Sequence, residues 1–225
     1  MLRPILCLIV AITCCSSALA QKLPAEPTDI DPKLPNVLLI GDSISIGYTK
    51  PVRKKLSGIA NVFRPNTNCG PTTKGVAEIE KWLGDRKWSV IHFNHGLHDL
   101  KYMGPNNENL ADPKDSTSHQ QVPPANYKAN LKKIAERLKQ TGAVVIWCET
   151  TPVPEGAKGR VVGDSRKYNE VAAKVMKEIG EIQTNPLWHV ATKSIPTRPA
   201  NVHYTTEGSD KLANQVVSII KQNLP

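Results

Sequence analysis

Cysteine is scarce in this 225-residue chain and poorly placed for cross-linking, since three of its five cysteines fall within the first fifteen residues. Beyond them only Cys69 and Cys148 remain, too few for a disulfide framework. Cys148 ends an apolar run that reads as a buried strand, so buried thiols are expected rather than a bridge. Aromatic residues make up only 5%, and no run of five basic residues occurs, which leaves little to stack or grip nucleic acid. No apolar stretch reaches the roughly twenty residues of a spanning helix, so stable membrane insertion is not expected. Internal repeats are lacking too. No metal or other cofactor is expected.

What is present begins at the N-terminus. Met1-Leu2-Arg3 is followed by a mostly apolar run and then by small residues ending Ala18-Leu19-Ala20, the layout of a signal peptide cleaved after Ala20. A secreted or periplasmic protein is expected. Cys14 raises a lipoprotein alternative, which Thr13 before it disfavours. The formal charge is +9, and loss of Arg3 with residues 1–20 leaves a mature chain of +8, basic enough to attract acidic partners. Residues 21–35 are rich in proline and acid without apolar periodicity and read as a linker. A single domain over 36–225 is long enough to bury its own core, and a monomer is expected.

Short apolar runs then alternate with helical periods. Asn36–Ile40, 60–63, Val90–Phe93 and 144–147 are strand candidates. Leu131, Ile134 and Leu138, then Tyr168, Ala172 and Val175, then Leu212, Val216 and Ile219 recur at helical spacing. Continuous apolar strands between helices predict an α/β fold with a parallel sheet covered on both faces. The polar stretch 104–124 reads as an exposed insertion over one sheet edge. In such folds the ligand site lies beyond the carboxyl ends of the strands, so residues just after each apolar run are the ones to inspect.

Four segments answer. Gly41-Asp42-Ser43-Ile44-Ser45-Ile46-Gly47 puts a serine at a strand-to-helix turn, where it reads either as a nucleophile or as the cap of the next helix. Asn68-Cys69-Gly70 offers an unhindered backbone N–H or a plain turn. Asn94-His95-Gly96-Leu97-His98-Asp99 gathers polar groups beyond a buried strand, for function or as a hydrogen-bonded cluster. His203, in Asn201-Val202-His203-Tyr204, precedes the last helix, where it reads as a base or a surface histidine.

In this order the segments resemble the blocks of the SGNH/GDSL hydrolase superfamily, over Asn36 to the C-terminus. The resemblance implies a three-layer α/β/α, flavodoxin-like fold with a five-stranded parallel sheet, and hydrolysis of esters. It makes Ser43 the nucleophile, His203 its general base, and the N–H groups of Ser43 and Gly70 two oxyanion donors. This chain departs from the pattern twice. His98 stands where the family has its asparagine donor, with Asn94 as a fallback. Ala200 stands where an aspartate would orient the histidine, which a backbone carbonyl near Pro199 or Ala200, or the acids Glu207 or Asp99, would then have to do. Asp42 is a further supporting candidate. The expectation is a Ser-His dyad hydrolysing carboxylic esters, with small acyl groups such as acetyl on a carbohydrate or other small-molecule substrate. A catalytically weak glycan-binding protein and an acyltransferase are the alternatives, and Trp147 is a candidate for stacking on a sugar.

Overall fold

The computed structural model describes residues 23–180, 182–193 and 195–225. The signal peptide read in residues 1–20 therefore lies outside the described residues. In chain order the elements are β1 (Asn36–Ile40), α1 (Ser43–Lys55), β2 (Asn61–Phe63), α2 (Thr72–Leu83), β3 (Val90–Phe93), β4 (Tyr102–Met103), β5 (His119–Gln120), α3 (Pro124–Lys139), β6 (Val144–Cys148), α4 (Asp164–Ile179), β7 (Gln183–Asn185), α5 (Leu187–Ala191) and α6 (Thr206–Lys221).

β1 and β3 are continuous apolar runs because both faces of the strands are covered, and Val37 to Ile40 and Val90 to Phe93 are buried throughout. Five strands form one sheet in the order β2-β1-β3-β6-β7, and every pairing is parallel, with Leu38 beside Ile91 and Ile91 beside Val145. This is the doubly wound, flavodoxin-like order. The helices fall into two packed groups, α1 with α6 and α5, and α2 with α3 and α4, giving the expected three layers. Trp147 is 1% exposed and packs edge-on to Phe93, so it belongs to the core and is not a platform for a sugar. Cys69 and Cys148 are both buried and unpaired.

Outside the sheet, β4, just before the expected insertion, pairs antiparallel with β5 inside it. The described part of the 21–35 segment has no helix or strand, yet it is fastened to the body. Asn61 Nδ2 donates to the carbonyls of Asp31 and Leu34, and Arg53 Nη1 donates to that of Ala25.

Candidate active site

The turn after β1 settles which residue caps α1. Asp42 Oδ1 accepts the Ile44 N–H at 2.9 Å, so Asp42 is the N-cap and Ser43 the first helical residue. The Ser43 hydroxyl is thus not spent on capping, and it sits where the helix dipole favours developing negative charge. Behind the turn, the Gly41 carbonyl accepts from Cys69 N and from Arg64 Nη2, each at 3.2 Å. Arg64 is buried, and its burial lowers its pKa. This guanidinium buttress gave no signal in the sequence.

His203 Nε2 lies 2.9 Å from Ser43 Oγ across 160 residues of sequence. Its orienter is a residue that the family pattern does not suggest. Asn201 Oδ1 lies 2.7 Å from His203 Nδ1 and also accepts the backbone N–H of His203 at 3.0 Å. The backbone group can only donate, so the atom facing it is the amide oxygen, and Nδ1 must carry the proton. Nε2 then presents its lone pair to the serine hydroxyl. Partial burial is the main reason the His203 pKa is lowered; Asp42 opposes it, while Arg160 and Arg198 add to it. The ring is therefore a neutral acceptor at neutral pH.

The other expected orienters lie elsewhere. Ala200 sits in the left-handed region (φ 49°) at the tip of the loop, with its Cβ turned to Gly156, where an added β-carbon would come within 3.0 Å of it. Neither Pro199 nor Ala200 supplies the acceptor, since Asn201 occupies that place. Glu207 points along α6 to Lys211 at 2.8 Å. Asp99 is buried, where Oδ1 accepts from Thr72 N at 2.8 Å and from the Thr72 hydroxyl, and desolvation pushes its pKa up to about 7. Asn94 is no fallback donor either: its Nδ2 donates to the Cys148 carbonyl at 2.8 Å and to Thr150 Oγ1 at 3.2 Å, tying β3 to β6.

Gly70 adopts φ +57°, a conformation that costs a residue with a side chain but not glycine. Its carbonyl accepts from His95 Nδ1 at 3.0 Å, and its N–H donates to Asn68 Oδ1 at 3.0 Å. His98 abuts it, with a β-carbon built on Gly70 lying 3.9 Å from His98 Nδ1. Burial brings the His98 pKa down to about 4, so the imidazole is neutral and keeps one N–H to donate. Among the described residues no cluster of histidine, cysteine, aspartate or glutamate could hold a metal ion. A serine hydroxyl held by a histidine whose far nitrogen is itself held is an arrangement suited to acyl transfer.

The strand order and this arrangement define a hydrolase of the SGNH/GDSL class. The model of the GDSL-like lipase/acylhydrolase family matches residues 37–216, and the chain belongs to that family and is an ester-bond hydrolase. Among solved structures it is similar to a lipase/acylhydrolase from Enterococcus faecalis (18% identity, 85% of this chain and 98% of the other, TM-score 0.67). It is also similar to the acetyl xylan esterase AlAXEase (14%, 82% and 99%, TM-score 0.65). A third is the psychrotrophic esterase EstA from Pseudoalteromonas sp., solved inhibited by monoethylphosphonate (12%, 83% and 97%, TM-score 0.60). At these identities the likeness speaks for the fold alone. No curated protein matches.

Proposed function

We propose that this chain is an exported serine esterase that removes small acyl groups, such as acetyl, from a carbohydrate or related small-molecule ester. The observation that carries the reading is the continuous relay Ser43 Oγ, His203, Asn201, with contacts of 2.9 and 2.7 Å. Ser43 attacks the ester carbonyl while His203 Nε2 takes its proton, and Asn201 holds the tautomer and steadies the imidazolium as a neutral dipole. The tetrahedral oxyanion is received by the N–H groups of Ser43 and Gly70 and by the His98 ring. Gly70 must share or surrender its bond to Asn68 for this. His203 then protonates the leaving alcohol, and water repeats the sequence to release the acid.

A small acyl group is supported by the absence of any long apolar lid in the sequence, and acetyl by the acetyl xylan esterase among the similar structures. Export rests on the layout of residues 1–20. Among the described residues no helix is long and apolar enough to cross a membrane. The binding-only alternative draws its support from Ala200 and His98; Asn201 behind His203 and a neutral His98 ring that keeps one N–H speak against both grounds.

The test is 4-nitrophenyl acetate hydrolysis by the mature chain and by Ser43→Ala. The variant is expected to lose roughly a thousandfold or more in kcat/KM. An alkyl phosphonate should label Ser43 stoichiometrically, as the phosphonate-inhibited esterase among the similar structures suggests. Equal hydrolysis by both proteins would overturn the reading.

A further inference from the structure

Loop 149–163, between β6 and α4, is fastened on three sides. Gly159 (φ +64°) has no room for a β-carbon, which would meet Leu110 Cα at 2.4 Å, and its carbonyl accepts the Tyr102 N–H at 2.8 Å. Gly156 abuts Ala200 in the loop that carries His203. Between these anchors Arg160 Nε donates to the Leu97 carbonyl at 3.2 Å, one residue before His98. The chain therefore goes to some length to hold a guanidinium between the loops of the two site histidines. The remaining contact of that guanidinium is a long bond of 3.5 Å from Nη1 to the Lys158 carbonyl.

None of the ion pairs among the described residues involves Arg160, Lys101 or Arg198. Arg160 and Lys101 are both half-buried. Their charges act on the site. After burial, Asp42 raises the His98 and His203 pKa values, while Arg160 and Lys101 lower that of His98 and Arg160 and Arg198 lower that of His203; Arg160 also lowers Lys101, against Asp99. Asp42 acts on Arg160 and Asp99 on Lys101 only from beyond ion-pair distance. The Arg160 guanidinium, bonded to backbone carbonyls and to no carboxylate at contact, makes sense where a ligand supplies the anion.

We propose that Arg160, supported by Lys101, forms a subsite for a carboxylate carried by the ester substrate, close to the scissile bond. The inference rests on the esterase reading and narrows it to acidic esters. The planar fork of Arg160 suits a carboxylate, and Lys101 adds a point charge. Two sources of that carboxylate have the same chemistry: an acidic sugar on the alcohol side, or a half-ester of a dicarboxylic acid on the acyl side.

The experiment compares kcat/KM for two matched pairs, an O-acetylated glucuronic acid against O-acetylated glucose, and 4-nitrophenyl hemisuccinate against 4-nitrophenyl acetate. Wild type is expected to favour the acid in at least one pair by about tenfold to a hundredfold, and the pair that does so identifies the source. Arg160→Gln should bring that ratio close to one, and Arg160→Lys should restore it in part. Free glucuronate should bind wild type in calorimetry more tightly than glucose does, a readout that needs neither turnover nor a folded variant. Ratios near one in both pairs with no preferential glucuronate binding would overturn the subsite while leaving the esterase reading intact. Failure to hydrolyse any of the four esters would overturn the esterase reading, and the calorimetry would still decide the subsite.

Discussion

At the scale of single residues, one amide oxygen lies against the histidine ring where the family pattern leads one to expect a carboxylate. Asn201 Oδ1 accepts from both the ring and the backbone of His203, so it fixes the tautomer without adding a charge. Asn201→Ala should therefore cost roughly ten- to a thousandfold in kcat with KM little changed, because orientation of the base is felt in the transition state. Asn201→Asp keeps both acceptor contacts and adds a negative charge beside Nδ1. That charge favours the imidazolium and raises the His203 pKa from its lowered position, so the acid limb of the kcat/KM profile should move to higher pH and the plateau should rise several-fold. Ala200→Asp should do neither, since the Cβ of residue 200 faces Gly156 and not the histidine. A pH profile of the three variants checks all of this, and a triad gained by Ala200→Asp would contradict it. The blocks around Ser43 and His203 are distinctive enough to single out both residues, and their side chains meet in the fold. Asn201 stands two residues before His203, but nothing in the sequence separates an amide that accepts from a histidine ring from an ordinary loop asparagine.

At the scale of elements, the site loops also hold the helices. α2 begins after Pro71, which provides no side-chain cap, and its orphan N–H at Thr72 is satisfied by Asp99 from the loop after β3. Burial raises the Asp99 pKa in the fold to about 7 against an ordinary 3.8, so the native state binds a proton that the unfolded chain has released between those values. Stability is then whole below about pH 4, falls as pH rises toward 7, and stays at the lower level above. Asp99→Asn retains an acceptor for Thr72 and removes the ionisation. It should level that pH dependence and raise stability at pH 8 by roughly 1–3 kcal/mol, read from urea midpoints at pH 4.5 and 8. A variant less stable than wild type at pH 8 would show that the charged carboxylate earns its place as a cap. The strands that were legible, β1, β2, β3 and β6, are those whose covered faces favour runs of mainly apolar residues. β7 gave no such signal: Gln183 and Thr184 are exposed at the edge, and Asn185 is buried through polar bonds to His92 and Gln215. The fifth strand followed from the family resemblance and not from periodicity.

At the scale of the whole molecule, the strongly basic charge balance creates a field that reaches an acidic ester before any subsite does. The basic balance was legible in composition, but its focus at Arg160 was not, because the residues around it come from loops far apart in the chain. The two contributions separate by their dependence on salt. Diffuse attraction between solvent-exposed charges is screened as the Debye length falls from about 30 Å at 0.01 M to about 8 Å at 0.15 M. A half-buried guanidinium gripping a carboxylate at contact distance is screened much less. For an anionic ester, kcat/KM should fall several-fold between those ionic strengths, whereas the value for 4-nitrophenyl acetate should hardly change. Arg160→Gln removes one charge from the total and the whole of the contact, so it should lower kcat/KM for the acid at every salt concentration and leave the slope against ionic strength nearly intact. Steady-state rates over a sodium chloride series, with wild type and variant in parallel, give both numbers. A slope that vanished in Arg160→Gln would place the entire electrostatic effect in one side chain and deny the general field any part in capture.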